Sequence, residues 1–251
     1  MTDIILSGCF GKMGRAVTDC VNSRNDCQIV AGVDACSGNA DYPVFKSFDE
    51  IDIKADAVID FSHPSVLSGM LDYCRKNNIA AVIGTTGLTD GQKQLIENTS
   101  ESIPVFFTAN MSLGVNLISE LAAKAAKVLG NDFDIEIVEA HHNQKIDAPS
   151  GTALMLAESV NNALDYEAEY EFDRHSKRAK RAKNEIGIHS VRGGTIVGEH
   201  EVIFAGLDEV IKISHSARSK SLFAVGAVNA AVFIAPKNAG MYSMKNLISE
   251  M

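Results

Sequence analysis

The chain has no tryptophan, only five prolines among 251 residues, and no cysteine after Cys74. Its cysteines (Cys9, Cys20, Cys27, Cys36, Cys74) are odd in number and form no CxxC pair. That pattern fits reduced thiols better than a disulfide framework or a thiolate zinc site. Positive charge is in deficit: 23 Lys and Arg stand against 32 Asp and Glu, a formal net charge of −9. A general binder of nucleic acid or acidic membrane needs a basic surface, so neither partner is expected. No apolar run reaches the roughly 18 residues that mark a membrane span. The start, MTDIILSGCFGKMG, has no basic flank and runs straight into glycines. It reads as a first strand and not as a signal peptide, and a cytoplasmic location is expected. With 46% hydrophobic and 22% charged residues, the chain is ordinary globular protein, long enough for one large or two small cores. One stretch departs from the acidic balance. Segment 173–183, DRHSKRAKRAK, is either a solvated loop or a cationic approach to an anionic ligand.

The first third alternates short apolar runs with helical spacings. Strands are expected at 4–7, 28–34, 57–61, 80–84 and 104–110, with helices at 13–22, 66–75 and 89–100, the last capped by Thr89 or Asp90. Strands separated by helices mean βαβ units and a Rossmann-like doubly wound parallel sheet. The pattern changes after residue 110. A long amphipathic helix at 115–129 precedes a strand at 134–142 and a helix at 149–163. Strands at 186–191, 196–206 and 209–214 follow with tight turns and no helix between them, which indicates a mixed or antiparallel sheet. The fold class is therefore α/β, with a second α+β domain. The division expected is 1–110 with 221–251 as the dinucleotide-binding domain, and 111–220 as the substrate-binding and oligomerisation domain. The apolar helix 222–234 returns to the first.

Gly8-Cys9-Phe10-Gly11-Lys12-Met13-Gly14 joins the first strand to the first helix. Glycine serves where the chain turns tightly and where backbone must approach a pyrophosphate, and the helix N-terminus then offers N–H donors. The spacing is GxxGxxG, so alone it is weak. Asp34, twenty residues after Gly14 at the end of the second strand, strengthens it, since an acid there accepts hydrogen bonds from a ribose. Ala35, Cys36 and Ser37 follow, with no Arg or Lys beside Asp34 to take a 2′-phosphate. This favours NADH over NADPH, with Lys12 and Lys46 as the cations that could fold inward. Gly84-Thr85-Thr86-Gly87 and Thr108-Ala109-Asn110-Met111 also end strands, where ligands of open α/β sheets bind.

The segment Glu139-Ala140-His141-His142-Asn143-Gln144-Lys145-Ile146-Asp147-Ala148-Pro149-Ser150-Gly151-Thr152-Ala153 gathers imidazoles, an ammonium and two carboxylates before a helix start. It lacks the spacing of a zinc site, and adjacent histidines in a strand point oppositely, so no metal is expected. A structural His pair is one reading. Acid–base chemistry is the other: His titrates near neutrality, Lys donates a proton, and the helix start offers N–H groups to a carboxylate. Together they suit the reduction of a polarised double bond in an anionic substrate.

At these residues the chain resembles the 4-hydroxy-tetrahydrodipicolinate reductase (dihydrodipicolinate reductase) family of the diaminopimelate and lysine pathway. The resemblance covers nearly the whole length: the glycine loop at 8–14, VIDFSHP at 58–64, GTTG at 84–87, AN-x-S-x-GVN at 109–116, EAHHNQKIDAPSGTA at 139–153 and VRGGTIVGEHEVIFAG at 191–206. It implies NAD(P)H-dependent reduction of a small-molecule dicarboxylate to tetrahydrodipicolinate with loss of water, by a homotetramer joined through sheets of the second domain. It implies that His141 is the acid/base and Lys145 the proton donor. It also implies that His142, Lys145, Gly151 and Thr152, with Ser150 beside them, hold the substrate. Cofactor contacts are implied at Gly8, Cys9, Phe10, Gly11, Lys12, Met13, Asp34, Gly84, Thr85, Thr86, Thr108, Ala109, Asn110 and Met111. Where the family has SSR-x-x-FA, this chain has Arg218-Ser219-Lys220-Ser221-Leu222-Phe223-Ala224, so the Arg role falls to Arg218 or Lys220. A semialdehyde dehydrogenase would need a cysteine nucleophile in its second half, and there is none. A non-catalytic nucleotide sensor of the same fold would not need the intact His141 and Lys145.

Overall fold

The structure is a computed structural model that describes all 251 residues. The chain forms two compact units, Met1–Leu113 with Lys220–Met251, and Gly114–Ser219. The first crossing falls after Leu113 because Met111 and Leu113 still pack in the core of the first unit. No helix is long and apolar enough to cross a membrane.

In the first unit the strands are β1 (Thr2–Ser7), β2 (Cys27–Val33), β3 (Val44–Phe45), β4 (Ala57–Asp60), β5 (Ala80–Ile83) and β6 (Pro104–Phe107). The helices between them are α1 (Lys12–Asn22), α2 (Leu67–Asn77) and α3 (Asp90–Ser100). The chain then passes through α4 (Leu113–Leu129) into the second unit and returns as α6 (Ser221–Ile234), β12 (Gly240–Tyr242) and α7 (Met244–Ser249). Every strand pair of this sheet is parallel, in the order β12-β6-β5-β4-β1-β2-β3. The order reverses between β1 and β4, which is where a doubly wound sheet opens a crevice at its carboxyl edge. The central strands are short unbroken apolar runs because helices bury both faces. On one face Val17 and Val21 of α1 join Ala224, Ala227, Val228 and Ala231 of α6. On the other, Leu67, Met70, Leu71 and Ile96 of α2 and α3 pack against Ile5, Val58 and Ile83. Helix α3 starts at a capping box, with the Thr89 hydroxyl accepting from Gln92 N at 3.3 Å.

The second unit contains β7 (Asp134–His141), α5 (Gly151–Asn161), β8 (Glu169–Glu171), β9 (Glu185–Arg192), β10 (Gly198–Ala205) and β11 (Val210–Ala217). Its sheet has the order β11-β10-β7-β9-β8 and is mixed: β9 runs parallel to β7, β10 antiparallel. The RGGT turn after β9 therefore closes no hairpin. Residues 193–197 carry the chain across the end of β7, where Gly193 N donates to His141 O at 2.9 Å. Ile118, Ala122 and Ala126 of α4 and Leu156, Ala157 and Val160 of α5 bury one face of this sheet. The basic segment is neither a free loop nor a ligand approach along its whole length. Arg174 bonds Glu136 and Glu185 at 3.0 Å, Arg181 bonds Asp134 and Glu136 at 2.9 and 3.1 Å, and Lys177 pairs with Glu171. It is a strap that neutralises carboxylates on the sheet.

Phe106 is wholly buried in β6 and meets Phe233 of α6 edge to face, with ring centroids 6.4 Å apart. Phe106→Ala is expected to cost about 3–5 kcal/mol, read as a lowered urea midpoint. An unchanged midpoint would mean that α6 is not seated on this sheet.

Candidate functional site

The glycine loop leaves β1 at Gly8, whose φ of +76° is open to glycine and strained for other residues. Gly14 is required by contact: a Cβ there would lie 2.2 Å from Gly8 O and 2.6 Å from Cys9 O. Loop and helix α1 are thus pressed together, and no side chain caps the first turn of α1 at Gly11. Its N–H groups remain for a ligand, the arrangement that holds pyrophosphates. Asp34 ends β2 and ties the loop down, its carboxylate accepting from Phe10 N at 2.9 Å and from Cys36 N at 2.8 Å. Cys9 is buried, and burial first, then the charge of Asp34, pushes its thiol up to about 11, so only its backbone serves the loop.

Two cavities flank this loop. One, of about 720 Å³, is lined by Gly8, Phe10, Gly11, Asp34 and Ala35 together with Arg15 and Lys46. The other, of about 750 Å³, is lined by Met13, Gly84–Thr86, Thr108–Met111, Lys220 and Phe223. Phe61 and Ser62 line both. Thr85 is buried and donates to Asp60 at 2.6 Å, which binds the end of β5 to the end of β4. Twelve of the fourteen residues expected at the cofactor thus line these two cavities; Cys9 is buried in the glycine loop, and Lys12 is exposed at the start of α1. Of Arg218 and Lys220, the two cations weighed for the family's Arg role, Lys220 lines the second cavity.

The chemistry-bearing segment leaves the central strand β7. Its alternation turns Ile135, Ile137, Glu139 and His141 to the buried face. Glu139 has no solvent exposure and is fully partnered. Arg192 donates to both its oxygens at 2.7 and 2.8 Å, Ser150 N donates at 3.1 Å, and His141 Nδ1 lies 2.6 Å from Oε2. Burial alone would raise this carboxyl, but Arg192, His141 and the further donors outweigh it and hold it at about 2. Arg192 also donates to Asp147 O, so it clamps the loop to the strand. Within that loop Lys145 Nζ pairs with Asp147 at 2.9 Å, and Lys145 N donates to His142 O at 3.1 Å. Helix α5 then begins at Gly151 and Thr152.

Ser150 is buried at the start of α5. It is 2% exposed, its N–H goes to Glu139, and its hydroxyl caps α5 at Ala153 N and meets His200 Nε2 at 3.0 Å. Ser150, expected among the substrate contacts, thus has its N–H and hydroxyl engaged with the scaffold. The sequence alone does not single out Glu139, Arg192, His200 and Arg15 as site residues. A carboxylate at an inward position after Ile135 and Ile137 is the legible signal, since a buried charge demands a partner. The partners lie fifty or more residues away and are delivered by register: Arg192 opposite His141, His200 opposite Glu139.

His200 is pushed down to about 4, by burial first and then by the nearby His141. It stays neutral in the fold while the unfolded chain takes up a proton below its ordinary 6.5, so stability falls as pH drops from 6.5 to about 4. The Glu139 contribution is present above 4.5 and is lost as pH falls toward about 2. His200→Gln is expected to flatten the upper window, removing a pH dependence on the order of 3 kcal/mol, with the smaller effect of His215 and the window below 4.5 left in place. Urea midpoints measured against pH check this.

Comparison with known proteins covers nearly the whole chain. The dihydrodipicolinate reductase family is matched by its N-terminal model over residues 2–111 and by its C-terminal model over 114–248. The 4-hydroxy-tetrahydrodipicolinate reductase of Clostridium tetani is 48% identical over 250 residues, 99% of this chain and 98% of that protein. That of Caldanaerobacter subterraneus is also 48% identical over 250 residues, 100% of this chain and 99% of that one. A dipicolinate-bound dihydrodipicolinate reductase from Paenisporosarcina sp. TG-14 has a TM-score of 0.82 at 26% identity, covering 98% of this chain and 99% of that one. A DAP dehydrogenase of C. glutamicum shares the fold alone, with a TM-score of 0.57 at 12% identity over 100% of this chain and 96% of that one.

Proposed function

The chain belongs to the dihydrodipicolinate reductase family and is an NAD(P)H-dependent reductase of 4-hydroxy-tetrahydrodipicolinate in diaminopimelate and lysine biosynthesis; we propose the following division of labour among its residues. The observation that carries it is the loop between β7 and α5. It brings the imidazole of His141, the ammonium of Lys145 and the helix start at Gly151 and Thr152 onto one scaffold fixed by Glu139 and Arg192.

When bound, NAD(P)H supplies the hydride. The first-turn amides of α1 and the glycine loop hold its pyrophosphate, Asp34 accepts from its ribose, and Thr85, Thr86 and the 108–111 turn receive the nicotinamide half. His142, Lys145 and the amides of Gly151 and Thr152 bind the carboxylates of the diacid, which dipicolinate imitates. Lys145 donates the proton that completes reduction, and His141 exchanges protons at the ring as acid and base. The chain works in the cytoplasm as a homotetramer. The face of the second sheet turned away from α4 and α5 leaves Val191 and Val210 about half exposed, and this supports assembly through that face.

NADH is the preferred cofactor. The Asp34 carboxylate repels a 2′-phosphate. The three donors of Lys46 are engaged by Ala35 O, Cys36 O and Ser37 Oγ at 3.0, 3.0 and 3.1 Å. Arg15, on the same cavity wall, is the cation left to admit NADPH as the weaker partner. Steady-state kinetics are expected to give a lower KM for NADH than for NADPH, and Arg15→Ala to raise the KM for NADPH more than that for NADH. A clear preference for NADPH overturns this order.

The functional assignment is tested by condensing pyruvate and aspartate semialdehyde enzymatically, adding the chain and following NADH oxidation. Lys145→Ala is expected to lower kcat by at least about a hundredfold, within the range of general acid catalysis, while NADH affinity barely changes. Near-normal turnover in that variant removes Lys145 from its role.

A further inference from the structure

The inward face of β7 reads Ile135, Ile137, Glu139, His141. A purely structural solution at its third position would be another aliphatic residue, because a buried ion pair seldom outdoes apolar packing in stability. The chain instead buries a carboxylate with no solvent exposure and spends an arginine on it in two-pronged geometry. Ser150 N and the Ser190 side chain also bond that carboxylate, and His141 Nδ1 meets it at 2.6 Å. An ionised carboxylate only accepts hydrogen bonds, so the proton must sit on Nδ1. Nε2 is then the nitrogen left to exchange protons. The neighbouring strand leaves room for it: a Cβ at residue 198 would lie 3.1 Å from Nε2, and Gly198 has none.

We propose that Glu139, locked by Arg192, is the positioning residue for His141: it fixes the Nδ1–H tautomer and aims Nε2 outward as the proton-exchanging atom. The same arginine reaches Asp147 O, and Asp147 holds the Lys145 ammonium, so one ion pair sets both proton-carrying groups. Arg192 keeps the Glu139 charge compensated in either state of His141, so the carboxylate itself takes no proton. Ser150 N and the Ser150–His200 contact close the rest of the carboxylate's surroundings. Glu139 and Arg192 touch no substrate in this scheme and act through His141 and the loop. The proposal rests on the reading of His141 as the acid/base.

The test compares Glu139→Gln, His141→Gln and the double variant in the full chain, by steady-state kinetics and by 15N NMR of histidine-labelled protein. The His141 signal is assigned by its loss in His141→Gln. Wild type is expected to show protonated Nδ1 at His141, and Glu139→Gln a mixture of tautomers. Glu139→Gln is expected to lower kcat by about 10–100-fold with KM for the diacid within about threefold of wild type. The double variant should fall no further than His141→Gln. Turnover kept in His141→Gln overturns the acid/base reading itself. Turnover lost there but kept in Glu139→Gln, with the wild-type tautomer, overturns the positioning role and leaves His141 standing. Should Glu139→Gln not fold, Glu139→Asp keeps the charge for Arg192 but withdraws the carboxylate from Nδ1. Lowered kcat with dipicolinate binding retained then supports the proposal, and wild-type kcat with an unchanged tautomer refutes it.

Discussion

A single buried carboxylate constrains the second unit. Glu139 follows Ile135 and Ile137 on the inward face of β7, and it gathers several polar groups. Arg192 on β9, His141 on its own strand and the amide of Ser150 at the start of α5 all converge on its two oxygens. An uncompensated charge in that position would be costly, so its neutralisation ties β9 and the start of α5 to β7. The chemistry uses the consequence. The loop from His142 to Pro149 is irregular, yet it is pinned at both ends and in the middle by this one cluster, so its charged side chains are held where a substrate can be oriented.

The first unit solves a different problem with different means. It binds by backbone. The reversal of strand order between β1 and β4 opens the crevice, and the glycine loop lets helix α1 present uncapped N–H groups there. Side chains brace it: Asp34 fastens the loop, and Asp60 with Thr85 joins two strand ends under the second cavity. The two units therefore divide labour along physical lines, dipoles and close backbone approach in one, paired charges and titratable groups in the other.

Much of this is legible in the sequence, and the limits have clear causes. Continuous apolar runs at Ile4–Leu6 and Val58–Ile59 announce a sheet covered on both faces, and GxxGxxG with Asp34 announces its crevice. The chemistry of His141 and Lys145 is visible because the residues lie together in the chain. Arg192, His200 and Arg15 do not stand out as site residues because register and strand order, not proximity in sequence, bring them in. The contact of the Ser150 hydroxyl with His200 is not legible in the sequence, because the two residues lie fifty positions apart. The basic run at 173–183 reads as free because its acidic partners are scattered over β7, β8 and β9.

The central claim is that a diacid is gripped by the loop after β7, with the outward nitrogen of His141 turned to its ring. A crystal structure of the chain with dipicolinate and NADH tests it most directly. The account predicts carboxylate oxygens against Lys145 and the amides of Gly151 and Thr152, with His141 Nδ1 still on Glu139. A diacid bound away from this loop, or an imidazole turned to offer Nδ1 to the ligand, would contradict it.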